Sequence, residues 1–264
     1  MLSEVLTFIF FILIGLEIRE GLNKPKDAIL PALAALGGMI VPALIFIVMS
    51  PGSDAWAVSM PTDVALAIGA LSILGKRVNP AVRLFLLTLA VADDFFSLVV
   101  IGIFFRQDLH LASAIYTLGA ASIGFLLPFR HRLIAILSPI ATFAIIPIYI
   151  FINLLTKLDF SISTESIVVA VVVARVIGKV LGITLFTYLF TRFTSLKLPP
   201  ALDLKEIVGV GFLAGMGLTV SIVIAEITLQ TESELAQVRM GLFFAAILSG
   251  LLGLLWLKRF PASL

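Results

Sequence analysis

The chain alternates between long apolar stretches and short polar or Pro/Gly-rich links along its whole length. A membrane-spanning helix needs about 20 mostly apolar residues, because its rise must cover a hydrocarbon core of about 30 Å. Nine stretches meet that length to within a few residues. They cover approximately residues 2–18, 28–50, 55–75, 81–105, 110–129, 132–154, 164–191, 206–230 and 235–257. The pattern therefore predicts about nine transmembrane helices.

These stretches are continuously apolar, whereas the strands of a transmembrane β-barrel alternate over about ten residues. A helix also satisfies its own backbone hydrogen bonds in lipid. We therefore expect an all-α polytopic membrane protein, with one transmembrane domain that covers residues 1–264.

Two stretches carry helix-breaking residues near their middle. In the third, Pro61 removes a backbone donor and its ring clashes with the preceding turn. In the eighth, glycines at 209, 211, 215 and 217 weaken the helix. Discontinuous helices at corresponding positions of two halves are typical of secondary transporters. We expect two inverted-topology repeats, at approximately residues 28–105 and 164–257.

Composition agrees with a membrane location. Of the 264 residues, 61% are hydrophobic and 13% are charged, against about 25% charged residues in a soluble domain. The chain has no cysteine, which excludes a disulfide framework and a thiolate metal site. We expect no cofactor, and the lipid bilayer as the main partner.

The basic residues are sorted between alternate loops. Thirteen of the 18 lysines and arginines fall in one set of loops and three in the other, while Arg175 and Lys179 lie inside the seventh stretch. Because cytoplasmic loops carry the excess of Lys and Arg, we expect the N-terminus outside and the C-terminus in the cytoplasm. A net charge of +2 without a basic patch argues against nucleic-acid binding.

Asp93 and Asp94 are adjacent near the middle of the fourth stretch. One charge at the bilayer centre costs at least about 2.5–3.5 kcal/mol on insertion scales. The pair therefore indicates a functional site more than a structural pair hydrogen-bonded inside the bundle. A proton and a cation can compete for the same carboxylate oxygens. Neighbouring residues point about 100° apart on a helix, so one carboxylate can face an ion cavity while the other faces a partner.

Lys179 lies in the middle of the seventh stretch and is the natural charge partner of the aspartates. A buried lysine can be a salt-bridge member, a proton carrier or a structural counter-ion. Arg175 lies one turn earlier on the same face. It can pair with the second carboxylate, line the cytoplasmic vestibule or act structurally, and the structural role is favoured.

Asp63 and Thr62 follow the proline of the third stretch. Their oxygens, together with the carbonyls that the break frees, suit a hard cation such as Na⁺. The alternative is that Asp63 only caps the helix that follows.

Three further positions are accessory candidates. Gly215 and Thr219 continue the four-residue spacing that begins at Gly211, and this stripe fits close helix packing and an ion path equally well. Glu17 ends the first stretch, where a pH-sensing residue at the mouth is one reading and a solvated helix end is the favoured one.

The sequence contains no signature of an enzyme site. His110 and His131 have no second histidine at ligand spacing. A nucleophile elbow, a phosphate loop and a dinucleotide fingerprint are absent from the sequence. We therefore expect a transporter.

Six segments occur in one order along nearly the whole chain: residues 11–18 (FILIGLEI), 37–44 (GGMIVPAL), 61–69 (PTDVALAIG), 93–94 (DD), 177–182 (IGKVLG) and 215–221 (GMGLTVS). In these segments the chain resembles the NhaA-type sodium/proton antiporters of bacteria. Each segment alone is a weak signal, but the six together are specific.

The resemblance implies a bundle in which two discontinuous helices cross at mid-membrane beside the aspartate pair. By the family pattern, Asp94 is the main carboxylate for Na⁺ and protons. Asp63 and Thr62 assist at the crossing, and Lys179 pairs with Asp93. Na⁺ is then expected at Asp94, Asp93 and Asp63. The resemblance also implies electrogenic exchange of cytoplasmic Na⁺ or Li⁺ for a larger number of external protons, in the bacterial cytoplasmic membrane.

The chain departs from the family pattern in length and in sequence. The family has about twelve spans, whereas this chain matches from the second helix onward and lacks about two helices between its fourth and sixth stretches. The hairpin by which the family dimerises has no counterpart here, so association into a homodimer stays open. After the aspartates, Phe95 and Phe96 replace an apolar-glycine dipeptide, which is expected to narrow the cavity.

Three functions stay open from the sequence. The leading one is a cation/proton antiporter that works by alternating access. The second is a sodium-coupled symporter of the related crossed-helix fold, which would need polar groups around a larger cavity. The third is a transport-inactive shortened relative that serves as a scaffold. Retention of Asp63, Asp93, Asp94 and Lys179 together favours the first.

Overall fold

The computed structural model describes residues 8–9, 11–16, 19, 25–75, 78–104, 111–127, 130–140, 144–158, 160–162, 164–199 and 202–260. Helices account for most of these residues, and no strand occurs among them. The all-α fold that the sequence predicted is confirmed.

After the helical residues 11–16, the described part of the chain forms eleven α-helices in chain order. They are α1 (Pro25–Met49), α2 (Val64–Ile73), α3 (Pro80–Phe104), α4 (Leu111–Leu126), α5 (Arg130–Ile140), α6 (Ile146–Asn153), α7 (Ser166–Val173), α8 (Lys179–Phe193), α9 (Leu204–Ala214), α10 (Thr219–Thr228) and α11 (Glu232–Arg259). A 3₁₀ segment, Asp54–Ser59, precedes α2, and a π-helical turn, Ala174–Gly178, joins α7 to α8.

Within the described ranges, four helical segments are long and apolar enough to cross a membrane. They are Ala28–Met49, Asp54–Ile73, Ser166–Phe193 and Glu232–Arg259. Helices α9 and α10, bent by 50° at a short break, make a fifth if they form one span. The protein is therefore a polytopic membrane protein, and the total of nine spans stays a prediction.

Both helix breaks lie where the sequence predicted them. In the first, residues 60–63 are not helical, and Asp63 is extended (φ −101°, ψ 104°) before α2 begins. Pro61 lies inside this break. In the second, α9 ends at Ala214 and α10 begins at Thr219. Two apolar segments are thus interrupted near their middle, and backbone groups at the breaks lack intrahelical hydrogen bonds.

The described residues of the sixth predicted stretch, residues 132–154, are mostly helical. They belong largely to α5 and α6, a π-helical turn at residues 144 and 145 comes directly before α6, and Pro147 lies in the first turn of α6. That this stretch forms one membrane span stays a prediction.

The helices α1 and α8 approach each other closely at glycines. A methyl group added to Gly182 would lie 2.6 Å from the carbonyl carbon of Gly37 and would also meet the Gly37 carbonyl oxygen. A methyl group on Gly178 would lie 2.9 Å from the Cα of Pro42. In lipid, such close packing of backbones is a main source of helix association. These contacts make α1 and α8 the rigid centre of the fold.

Two hydrophobic clusters fill the bundle, one at each end of the long helices. On α1, Leu30 belongs to one cluster and Phe46 belongs to the other. The same change of cluster occurs along α7–α8, α9–α10 and α11. Both helix breaks lie at the level where one cluster gives way to the other. Buried polar side chains are gathered at this level, and they include Thr62, Asp63, Asp93, Asp94, Arg175, Lys179 and Thr219.

Candidate functional site

Lys179 lies among the buried polar side chains between the two hydrophobic clusters, which we call the polar level. It is the first residue of α8, is completely buried, and donates three hydrogen bonds from Nζ. The acceptors are Oδ2 of Asp93 at 2.9 Å, Oγ1 of Thr62 at 2.8 Å and the carbonyl oxygen of Met60. An ammonium has three protons to donate. Lys179 therefore joins α3 to the first helix break by an ion pair and two further bonds.

The Lys179–Asp93 ion pair has no access to solvent at either side chain. A buried charge at this depth is stable only when it is paired and hydrogen-bonded. Among the described residues, none donates a hydrogen bond to the second carboxylate oxygen of Asp93, Oδ1, or bonds to the hydroxyl of Ser97. Ser97 lies one turn along α3 on the same face. Two buried oxygens near the ion pair thus make no hydrogen bond with the described residues. Nothing in the sequence pattern singled out Ser97.

Asp63 caps α2 and bonds across to the second break. Its Oδ1 accepts from the amide of Leu66 at 3.2 Å, which is the N-cap arrangement. Its Oδ2 accepts from the hydroxyl of Thr219 at 2.6 Å and from the Thr219 amide at 3.3 Å. One carboxylate therefore satisfies the amino-terminal ends of both α2 and α10, and the two helix breaks meet at this residue.

Asp94 is buried beside the ion pair, with 4% of its surface exposed. It points about 100° away from Asp93 around α3. Phe95 and Phe96 follow it with their rings edge to face at 5.6 Å. Phe96 packs against both hydrophobic clusters, whereas Phe95 is 47% exposed.

Asp63 turns its oxygens to the amides of α2 and α10. Among the described residues, no group of three His, Cys, Asp or Glu side chains is arranged to hold a metal ion. The Na⁺ site at Asp94, Asp93 and Asp63 that the resemblance implied stays a prediction. Hydroxyl and carbonyl oxygens would have to complete any cation site here.

Arg175 bonds to backbone carbonyls and a hydroxyl, which fits the structural role that its position in the sequence favoured. It lies in the π-helical turn, and its guanidinium donates four hydrogen bonds. Their acceptors are the carbonyl oxygens of Val58 (2.7 Å), Pro61 (2.8 Å) and Gly215 (3.2 Å) and the hydroxyl of Ser221 (2.8 Å). These bonds reach both helix breaks.

The small residues of the second break pack tightly. A methyl group on Gly211 would lie 2.8 Å from the Cα of Val180 on α8, and one on Gly215 would lie 2.9 Å from the Arg175 carbonyl oxygen. Close helix packing therefore accounts for these two glycines. Glu17, the remaining accessory candidate, lies outside the described residues.

A second group of charges lies near the start of α11, away from the polar level. Arg239 is buried, and its guanidinium lies 3.7 Å from Glu226 on α10 and 3.9 Å from Glu232. Ser53, at the start of the first broken segment, donates to Glu234 at 3.3 Å. These contacts connect the end of α10, the start of α11 and the start of the 3₁₀ segment. They do not involve the aspartate pair.

Known proteins similar to this chain come from one family. The family profile described as Na⁺/H⁺ antiporter 1 matches residues 1–132 and 128–257. The Na⁺/H⁺ antiporter NhaA 2 of Aliarcobacter butzleri (strain RM4018) is 32% identical, over 96% of this chain and 80% of its own length. The antiporters NhaA of Actinobacillus pleuropneumoniae serotype 3 (strain JL03) and Salmonella paratyphi B are 31% and 30% identical. These matches cover 95% and 97% of this chain, and 80% and 82% of the relatives.

The matched relatives are longer inside the matched region. The alignment with the Aliarcobacter protein is 318 positions long whereas the chain has 264 residues, so at least 54 positions of that protein face a gap in this chain. The profile match also falls into two stretches that overlap at residues 128–132, after the end of α4 and at the start of α5. An internal shortening fits the two helices that the resemblance implied to be missing in this part of the chain.

Proposed function

The chain belongs to the Na⁺/H⁺ antiporter family, and from this premise we propose that it exchanges cytoplasmic Na⁺ or Li⁺ for external protons in the bacterial cytoplasmic membrane. The observation that carries the proposal is the buried Lys179–Asp93 ion pair at the two helix breaks, with Asp94 adjacent to it. A secondary transporter places its ion site where discontinuous helices expose backbone groups at mid-membrane. The chain has that arrangement in its own residues.

Charge balance gives the exchange a physical basis. Lys179 neutralises Asp93 in this structure, and a proton or a Na⁺ bound at Asp94 lowers the cost of placing a second carboxylate charge at this depth. A proton and a Na⁺ cannot both occupy the same carboxylate oxygens. Binding of Na⁺ on one side of the membrane therefore releases a proton, and the reverse occurs on the other side.

A second titratable group beside the carboxylates allows more than one proton to move for each Na⁺. Lys179 contacts Asp93 directly, and a cation that binds between the carboxylates competes with its ammonium. This arrangement supports electrogenic exchange. A net transfer of one charge makes the exchange respond to voltage, by about 2.3 kcal/mol per 100 mV.

Alternating access requires the ion site to face the two sides of the membrane in turn. The two breaks are joined at mid-membrane by the Asp63–Thr219 hydrogen bond. We propose that they carry the site together when access changes. Following the distribution of Lys and Arg, we expect the N-terminus outside and the C-terminus in the cytoplasm. Whether two copies associate stays open.

The test is transport by purified protein in liposomes with an imposed pH gradient. Addition of Na⁺ or Li⁺ should dissipate the gradient in the wild type, and Asp94→Asn should abolish the response. Asp54→Asn, an equivalent change at an exposed aspartate of the 3₁₀ segment, should leave transport unchanged. If the wild type responds to none of Na⁺, Li⁺ and K⁺, the antiporter proposal fails and a transport-inactive relative is the better description.

A further inference from the structure

Arg175 is a buried charged residue that the exchange chemistry above does not use. Its guanidinium is fully buried. It donates to two oxygens of the first broken segment, at Val58 and Pro61, and to two of the second, at Gly215 and Ser221. One side chain thus bridges two segments that are separated by more than 100 residues of sequence.

The backbone acceptors of Arg175 belong to the carboxyl-terminal sides of the interrupted helices. Val58 lies in the last turn of the 3₁₀ segment, and Gly215 is the C-cap of α9. Carbonyl ends of helices carry a partial negative charge and have lost their intrahelical donors. A guanidinium is permanently charged, planar and rich in donors. Arg175 is therefore a shared counter-charge for the two carbonyl ends, just as Asp63 serves the two amide ends.

The second break is shaped around this guanidinium. A methyl group added to Gly217 would collide with Nη2 of Arg175 and would lie 2.5 Å from the carbonyl oxygen of Pro61 and 3.1 Å from the Cα of Thr62. Only a residue without a side chain leaves this space open. The close fit of Gly217 to Arg175 is a second observation, independent of the hydrogen bonds, that the two breaks are assembled around the arginine.

Arg175 and Lys179 contact different groups near the two helix breaks. They lie four residues apart, and Arg175 is inside the π-helical turn, a local widening that is frequent at functional sites. Lys179 bonds to Asp93 on α3 and to Met60 and Thr62 of the first break. Arg175 bonds to oxygens of both breaks. Lys179 thus connects α3 to the first break, whereas Arg175 connects the first break to the second.

We propose that Arg175 is a positioning residue that locks the two helix breaks into one rigid unit, and that it thereby sets the affinity of the site for its cation without touching the cation. The statement about affinity rests on the proposed exchange function. The statement about rigidity does not, so the two parts can be tested separately.

Rigidity can be measured by spin labels, because the chain has no cysteine of its own. Ser72 at the end of α2 and Lys205 at the start of α9 are both exposed and report on the two broken segments. With cysteines there, the wild type should give a narrow distance distribution. Arg175→Gln should broaden it by a factor of about two, and Arg175→Lys, which keeps the charge but not the fork, should broaden it less.

Affinity is measured as the Na⁺ concentration for half-maximal exchange. Arg175→Gln should raise this Na⁺ concentration roughly tenfold and change the maximal rate less. The reason is that a substitution away from the site can still displace the cation's ligands, and displaced ligands bind the cation poorly. Arg175→Lys should recover part of the loss. Arg239→Lys is the matched control at a buried arginine away from the breaks, and it should change neither the distances nor the affinity.

Ser221→Ala is the milder variant if Arg175→Gln does not fold. It removes one of the four acceptors and should shift distances and affinity in the same direction, by less. If the spin-label distance distribution is unchanged in Arg175→Gln, Arg175 does not hold the two breaks together and the proposal is wrong. If only Ser221→Ala folds, an unchanged distribution in that variant has the same meaning. If the wild type transports no cation, the exchange proposal fails while the spin-label distances still decide the role of Arg175.

Discussion

The hydroxyl of Thr219 donates to the carboxylate of Asp63 at 2.6 Å, across 156 residues of sequence. Thr219 is the first residue of α10 and Asp63 is the N-cap of α2, so each lies where a helix starts after a break. The amide of Thr219 bonds to the same carboxylate oxygen at 3.3 Å. The amino-terminal ends of two half-helices therefore share one negative charge, which satisfies donors that would otherwise be unpaired in a dry environment.

Removal of the Thr219 hydroxyl should weaken this junction. Thr219→Val keeps the shape but leaves a buried carboxylate with one donor fewer, which costs about 1–3 kcal/mol. We expect a lower temperature of unfolding in detergent, measured by the loss of monodisperse protein after heating. Thr219→Ser keeps the hydroxyl and should remain close to the wild type. Equal loss in both variants would mean that the methyl group, not the hydrogen bond, matters.

The Lys179–Asp93 ion pair should show strong coupling between its members. Lys179→Met leaves Asp93 as an unpaired buried charge, and breaking a buried pair in this way costs about 3–5 kcal/mol. Asp93→Asn leaves the ammonium without its carboxylate and should also destabilise the protein. The double variant removes both charges, so its stability should exceed that expected from adding the two single effects.

The measurement for this pair is a double-mutant cycle of thermal stability in detergent. Glu226 and Arg239 form a longer pair, at 3.7 Å, in which Arg239 is buried and Glu226 is about one-third exposed, and Glu226→Gln with Arg239→Gln provides the control cycle. Its coupling should be below about 1 kcal/mol, because solvent near the carboxylate weakens the attraction. Additive effects of Lys179→Met and Asp93→Asn would contradict the ion pair as a stabilising contact.

Much of this site was predictable because its signals are local or follow from the cost of charge in lipid. Pro61 and the glycines of residues 209–217 act on their own helices, so the two breaks could be located from sequence alone. A lysine and an aspartate in the middle of apolar stretches must find partners. The contact between Lys179 and Asp93 is the expected solution.

The contacts of Arg175 were not predictable in the same way. Its acceptors at Val58, Pro61 and Gly215 are backbone carbonyls, which every residue possesses and which leave no mark in the sequence. The contacts of Asp63 with backbone amides were not predictable for a related reason, because the position of those amides depends on where α2 and α10 begin. The Na⁺ site at Asp94, Asp93 and Asp63 stays a prediction.

The close approach of α1 and α8 predicts different tolerance at two glycines. Gly182→Ala places a methyl group against the Gly37 backbone, and such overpacking costs about 1–3 kcal/mol. Gly69, in α2, has no atom within 4 Å of a methyl group added there. Gly69→Ala should be neutral or stabilising by about 0.5–1 kcal/mol. Heat stability in detergent measures both, and a neutral Gly182→Ala would contradict the tight contact.

The bent pair α9–α10 can be one broken span or a re-entrant loop, and labelling from outside the cell distinguishes the two. Ser195 precedes the pair, Ser233 follows it, and both are exposed. In this cysteine-free chain, Ser233→Cys should react with a membrane-impermeant maleimide added to whole cells. Ser195→Cys should react only after the cells are opened, because the basic residues around it predict a cytoplasmic side. Reaction of both positions from the same side would show that the pair does not cross the membrane, and the inverted repeat at residues 164–257 would then be lost.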